Sequence, residues 1–505
     1  MQKNTKPPVA ETEQISLAAI REAMRHSDDT VYSEYVINPV CNLRCTAVFI
    51  DGMVATDISF EHIFGQLAHN DDLSRLRDGK SAIAAIMRGR IQHGQRKHCA
   101  TMTDAIAELL FGSVLLVFEG CAEAVAFDSK GFETRAIAEP TNENVLKGSR
   151  ESFVEVLRVN TSIIRRHIKS RKLKVRQMTV GRRTNTTVAI MYIEGVANKE
   201  TTRKIIERFE SVDTDSLATA GQVEAVLYEN GMTLFPQAMY TERADKVVGC
   251  LLEGRIGIII DGLSIAYITP VDFNSFMQAP DDYAHHHVLS SFFRILRYVC
   301  MASSLVLPAL YVSVTTFHQE MIPTKLVVSI ISSKRSAPFP TYMEVLLMLL
   351  AFEVLLEAGL RLPKAVGQAV SIVGALVVGQ AAIQANILSP GVVIIIAAAG
   401  ITGFVVPNQD LSNITRMFRI GLVLLATIGG LFTTTVGIVV ILYSMCRIEV
   451  FGTPFLSPFA GNEGRQMFND TITRRQWSQK RKRPTNINPE DAVREATPTQ
   501  KGGGE

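Results

Sequence analysis

Apolar and polar positions follow one rhythm up to about residue 290 and a different one beyond it. In the first part, short apolar runs repeatedly close on an acidic residue and a glycine. Cys45–Ile50 precedes Asp51-Gly52, Val114–Phe118 precedes Glu119-Gly120, Val188–Ile193 precedes Glu194-Gly195, and Gly257–Ile260 precedes Asp261-Gly262. Runs of this length bounded by turn residues predict buried strands. Helical periodicity over Ser59–Leu67, Thr103–Phe111 and Lys199–Glu210 places helices between them. The alternation predicts an α/β soluble region, and the recurring strand-and-turn phrase predicts two related subdomains, 30–140 and 141–290, joined through the polar stretch Pro140–Asn144. Residues 1–29 are polar and read as a flexible, partly helical leader.

In the second rhythm, charge disappears. No Asp, Glu, Lys or Arg occurs in Tyr298–Phe317, Ala365–Gln409 or Ile420–Cys446. A hydrocarbon layer of about 30 Å needs about 20 apolar helical residues, so these runs predict an all-α polytopic membrane domain over 291–460. Its clear spans lie near 295–317, 365–386, 391–407 and 419–446. The apolar segment 342–362 carries Glu344, Glu353 and Glu357, which are costly against lipid, so it must face protein or water, as a re-entrant or a spanning segment. Ile322–Ser333 is too short to cross unaided.

Arg294 and Arg297 before the first span and the basic residues of the tail after the last put both ends on the cytosolic side, which requires an even number of crossings. Counting 342–362 as a crossing gives five, so either it is re-entrant or 322–333 also inserts. Residues 461–505 read as a disordered basic tail.

Whole-chain figures hide this division: 505 residues, 47% hydrophobic, net charge +3. The N-terminus has no apolar signal region, which keeps the leading domain in the cytosol. Seven scattered cysteines, with no second pair to complete a zinc site around Cys41 and Cys45, read as reduced structural thiols. Residues 165–183 hold nine Lys or Arg and no acid. No aromatic residue interleaves to stack bases, so the stretch reads as a solvated face or a contact with anionic headgroups rather than a nucleic-acid site. The contiguous His285–His287 cannot converge on one metal ion. No phosphate-cradling loop, His-Glu-x-x-His or nucleophile elbow is present, so neither an enzyme nor a cofactor is expected.

Particular strings on this layout resemble the GerA family of bacterial spore germination proteins, A-subunit type. In the soluble part they are Pro236, Thr241-Glu242-Arg243-Ala244-Asp245-Lys246, Leu252–Arg255 and Pro280–Tyr283, with Phe153–Glu155, Asn160, Ile164–Arg166 and Val180–Thr184 upstream. In the membrane part they are Leu307–Tyr311, Thr315–Thr324, Pro338–Pro340, Gly367–Val370 and Phe455–Phe459. The resemblance runs from about residue 30 to 461. Ala244 stands where that family usually has Pro, and Ser152 where it commonly has Gly. The resemblance implies a protein of the spore inner membrane that works with a transporter-like B subunit and a lipoprotein C subunit. It also implies a homo-oligomer that releases monovalent cations on a nutrient signal. A paralogous accessory branch, the stage V sporulation type, shares the fold without sensing nutrients.

An ion path needs polar groups inside the bundle. Glu353 and Glu357, four apart, share a helix face, and Glu344, nine residues earlier, is read as close to it. Such a stripe would attract cations; alternatively the acids pair with Arg361, Lys364 or a partner subunit. Gln368, Gln380 and Gln384 either bridge helices or line a pore. The same two readings apply to Gly429-Gly430 with Thr433-Thr434-Thr435: close packing or pore lining.

Overall fold

All four apolar runs that close on an acidic residue and a glycine are strands. The turn glycines Gly52, Gly120, Gly195 and Gly262 all have φ between +75° and +86°, the left-handed region that a side chain disfavours. The computed structural model describes residues 14–38, 43–55, 63, 65–69, 76, 78–91, 95–131, 143, 148–149, 151–229, 231, 233–334, 337–361, 379–459, 471–473, 481–482 and 493–494. Apart from pieces of the tail, they form a sheet unit (up to residue 229, with 237–271) and a helical unit (230–236, with 272–481).

The sheet unit begins with α1 (Leu17–Ala23), β1 (Thr30–Asn38) and β2 (Leu43–Ile50). Next come α2 (Gly65–His69), α3 (Gly79–Ala85), β3 (Arg96–Cys99), α4 (Met102–Leu110), β4 (Ser113–Phe118) and β5 (Ala124–Asp128). A second series follows: α5 (Leu157–His167), β6 (Leu173–Val180), β7 (Thr186–Ile193), α6 (Lys199–Glu210), α7 (Ala220–Leu227), β8 (Met239–Thr241), α8 (Ala244–Glu253), β9 (Ile256–Ile260) and β10 (Ala266–Thr269). The first five strands lie in the order β1-β2-β4-β5-β3 and the second five in the order β6-β7-β9-β10-β8, which is the same wiring displaced by five. Their paired neighbours run antiparallel. One module is therefore built twice.

Both faces of the first sheet are covered, which explains why its strands read as continuous rather than alternating apolar runs. Cys45, Ala47, Phe49, Leu116 and Phe118 point into one core with residues of α2 and α3. The intervening Val48, Ile50, Leu115 and Val117 point into another with α1 and α4. The leader differs from expectation from Ile15 onward. Ile15, Ile20 and Met24 are buried against the sheet, because α1 supplies half of the cover that this face needs. Of the helix expected over 59–67, residues 56–62 and 64 lie outside the described residues, and the helix observed there is Gly65–His69.

The helical unit holds α9 (Phe273–Met277), α10 (His287–Thr316), α11 (Thr324–Lys334), α12 (Thr341–Arg361), α13 (Pro390–Gly403) and α14 (Gln409–Cys446). Residues 379–384 are also helical. α10 and α14 have the length and composition to cross a membrane; α13, ending at Gly403, has 14 residues and is shorter than the expected 391–407 span. Most of the expected 365–386 span lies outside the described residues, as does most of the tail.

α14 is not the single span expected at 419–446. Gly429 (φ −144°, ψ 22°) and Gly430 (φ 61°, ψ −134°) leave the helical region. Beyond them the chain doubles back, so that a Cβ on Gly437 would lie 2.7 Å from Leu422 and 2.6 Å from Leu425. The Thr433 hydroxyl donates to the Leu425 carbonyl at 2.5 Å, a contact eight residues apart that no continuous helix allows. α14 is thus a helical hairpin with limbs 409–428 and 431–446.

α10 fixes the directions of its neighbours. Ser304 meets Arg419 and Phe317 meets Gly430, so the first limb runs parallel to α10. Ser313 meets Thr434, and Tyr298 lies 5.9 Å from Phe459, so the second limb runs back. α13 is antiparallel to α10, with Gly391 against Tyr311 and Gly403 against Ser304. α12 runs with α13, pairing Glu344 with Ser389 and Phe352 with Gly400.

Candidate functional site

The helical unit carries large apolar side chains on its outside, and inside it buried polar side chains stand beside an apolar core that includes Val312, Val345, Leu349, Val392 and Val423. Ile428 and Phe432, flanking the hairpin turn, are 74% and 75% exposed, and Ile394, Ile401, Val439 and Leu350 are more than half exposed. Ser304, Ser313, Thr434, Glu344 and Arg419 are buried. Apolar side chains exposed on the outside with polar ones turned inward match helices surrounded by hydrocarbon.

The three glutamates of α12 go to three different partners. Glu344 Oε2 accepts from the backbone N–H of Ser389 (2.8 Å) and from its hydroxyl (2.6 Å), capping the start of α13. Its Oε1 is buried without a partner among the described residues. Glu353 Oε2 accepts from Arg416 Nη1 at 3.0 Å. Glu357 accepts from Arg361 one turn later, at 2.6 Å and 3.1 Å, in an exposed pair. The expected common face fails for Glu344: nine residues are about two and a half turns, which sets it on the side of the helix opposite Glu353.

Gln368 lies outside the described residues, and Gln380 is exposed. Thr434 is buried, 2.9 Å from the Ser313 hydroxyl, and also donates to the Gly430 carbonyl at 2.8 Å. Thr433 donates to the Leu425 carbonyl, so the threonines beyond the turn bind the two limbs and α10 to one another. Arg416 and Arg419, at the edge of the expected 419–446 span, are not among the residues the sequence singles out. Their signal in the sequence is two cations three apart immediately before an uncharged run, which places both on neighbouring positions of one helix face.

The loop Thr241–Lys246 belongs to the sheet unit and joins β8 to α8. Arg243, with a side chain only 2% exposed, forks onto Asp245 at 2.6 Å and 3.1 Å and donates to the Glu143 carbonyl at 3.3 Å. The Glu143 carboxylate accepts from Lys246 (2.8 Å) and from the Thr241 hydroxyl. The Glu242 carbonyl accepts from Phe153 N–H at 2.8 Å. The loop is a fastening for the chain at residues 143 and 153. Ala244 is the first residue of α8, a position that suits Pro because its missing N–H has no helical partner.

The basic stretch 165–183 is not simply a solvated face. Arg165 is buried against Asp29, Lys174 is buried and donates to the Ala23 carbonyl (3.2 Å), and Arg166 pairs with Glu151 (2.9 Å). The stretch begins on α5 and β6, where the leader docks: Arg165, Lys174 and Arg176 hold the leader, whereas Arg182 and Arg183 stay exposed.

The family model described as Bacillus/Clostridium GerA spore germination protein matches residues 18–486. Spore germination protein KA of Bacillus subtilis (strain 168) is 36% identical over 480 residues, covering 95% of this chain and 87% of that protein. Spore germination protein B1 of the same organism is 31% identical, covering 95% of this chain and 98% of that protein. Among solved structures, the N-terminal domain of the A subunit of the Bacillus megaterium spore germinant receptor GerK3 is 28% identical, with a TM-score of 0.41, covering 51% of this chain and 94% of that one.

Proposed function

This chain belongs to the GerA family of spore germination proteins, and from that premise we propose that it is the A subunit of a germinant receptor in the spore inner membrane. In this reading it oligomerises, works with a transporter-like B subunit and a lipoprotein C subunit, and releases monovalent cations when nutrient is sensed. The observation that carries the membrane part is the set of large apolar side chains exposed around the helical unit, with Ser304, Ser313, Thr434, Glu344 and Arg419 buried within it. The hairpin supports cytosolic placement of both chain ends. Counted as two passes, α14 turns the expected five crossings into six, without recourse to 322–333.

A second reading, a non-conducting accessory or scaffold of the germination apparatus, is favoured by one observation. Glu353 and Glu357 are already paired with arginines rather than free to attract cations.

Spores carrying Glu353→Gln and Glu357→Gln separate the two. A conducting subunit alters potassium release while the receptor still assembles, whereas a scaffold shows only an assembly defect. Deletion spores that release potassium normally to every nutrient germinant would refute the receptor reading. Full-length protein remaining in a detergent-free supernatant would remove the membrane as well.

A further inference from the structure

The seam between α12 and the first limb of α14 holds two cations and one anion, with unused hydrogen-bonding capacity on both sides. Arg416 holds Glu353 through Oε2 at 3.0 Å. Glu353 Oε1 is buried and has no partner among the described residues. Arg419, 1% exposed, donates from Nη2 to Ser304 Oγ, while its Nε and Nη1 are buried and also have no partner among the described residues. The Glu353 carboxylate is the anion that acts electrostatically on Arg419. Gly403 keeps room for the guanidinium, since a Cβ there would stand 3.1 Å from Arg419 Nη2.

A buried guanidinium with two idle nitrogens is an unfavourable state unless another conformation uses them. Arg416 and Arg419 are three residues apart, about 4.5 Å along a helix, so one carboxylate can be handed from one to the other by roughly a one-turn slide. We infer that Glu353 is a two-position latch, held by Arg416 in the conformation described here and by Arg419 in a second one. The change moves α12 toward its own N-terminal end, because α12 runs antiparallel to the first limb of α14. As regulation of cation release, the latch rests on the receptor reading; as a helix displacement it does not.

The test uses full-length protein in nanodiscs, with Cys41, Cys250, Cys300 and Cys446 changed to Ser and spin labels on Leu350→Cys and Leu424→Cys, both at exposed positions. Pulsed electron paramagnetic resonance reads the distance between the labels. Arg416→Gln should shift the main distance by up to about 4.5 Å, the helical rise over three residues. Arg419→Gln should leave a single distance at the unshifted value. Arg416→Lys, which keeps the charge and lacks the fork, should populate both and serves if the Gln variant does not fold. An unshifted distance in both Arg416 variants, or the same shift in Arg416→Gln and Arg419→Gln, overturns the latch. Potassium flux is measured on the same variants reconstituted in liposomes. A shift without flux in any variant retains the latch and removes the conducting reading.

Discussion

Arg165 donates from Nη2 and Nε to the two carboxylate oxygens of Asp29, at 2.7 Å and 2.8 Å, with both side chains no more than 2% exposed. The pair joins residues 136 positions apart, the leader of the first module and α5 of the second. Arg165 Nη1 donates to the Leu173 carbonyl at 3.0 Å, so the guanidinium is tied to β6 as well. The Asp28 N–H donates to the Val175 carbonyl at 2.8 Å and the Asp28 carboxylate accepts from Gln177 N–H, which docks the same segment along β6.

Removing one partner of such a pair leaves the other charge buried and uncompensated. Asp29→Ala should lower the stability of the sheet unit by about 3–5 kcal/mol. The double replacement Asp29→Leu with Arg165→Met should recover most of that loss, since two apolar side chains of similar bulk need no counter-charge. Pulse proteolysis of full-length protein in a urea series measures both. A double variant as unstable as the single one would show that the pair acts through something other than charge.

Burial sets the chemistry of the thiols. Cys45 and Cys99 are inaccessible, and burial raises both thiols above the ordinary range near 8.5, Cys99 to about 11. A group that holds its proton more tightly when folded stabilises the fold fully below its unfolded value and loses that contribution as pH rises through its folded one. Stability of the sheet unit should therefore fall between about pH 8.5 and 11, and Cys99→Ala should flatten the slope over that window. At pH 8 a maleimide should label the exposed Cys446 readily, and Cys45 and Cys99 only after denaturation.

The hairpin turn depends on one glycine. Gly430 occupies a backbone conformation essentially closed to other residues, and a Cβ there would lie 2.9 Å from Phe317. Gly430→Ala should cut the amount of protein accumulating in the membrane several-fold. Gly421→Ala, where nothing lies within 4 Å, should leave it unchanged. In the wild type, an impermeant thiol reagent should reach Cys446 from the side that carries the sheet unit; labelling from the opposite face would mean that the limbs do not double back.

Two glutamates of α12 should respond very differently. Glu344→Ala strips both the Ser389 N–H and its hydroxyl of their acceptor at a buried site, a loss of about 1–3 kcal/mol. Glu357→Gln disturbs an exposed one-turn pair and should change stability by no more than about 0.5 kcal/mol. Thermal unfolding of detergent-solubilised protein ranks them, and equal effects would contradict this placement.

The sheets were legible because each strand announces itself locally, as an apolar run with an Asp-Gly or Glu-Gly stop, and the fourfold recurrence of that phrase pointed to duplication. Long uncharged runs disclosed the helical unit for the same reason. What escaped was information carried between distant positions or by a single torsion. Asp29 and Arg165 each look like ordinary surface charges in their own neighbourhoods. Gly429-Gly430 inside an apolar run looks like packing, since nothing local distinguishes a kink from a reversal. Arg416 and Arg419 stand just before the uncharged stretch that begins at Ile420, and nothing local shows that the helix starts eleven residues earlier, at Gln409.

The identical wiring of the two sheets gives the chain two sets of corresponding loops under one architecture, and the two sets need not carry the same contacts. The site that fastens residue 143 beside α8 has its positional counterpart at the start of α4, where the Thr101 hydroxyl donates to the Asp104 carboxylate and accepts from the Asp104 N–H. In the first module this corner is a simple helix start, and in the second it also clamps a distant stretch of chain at Glu143.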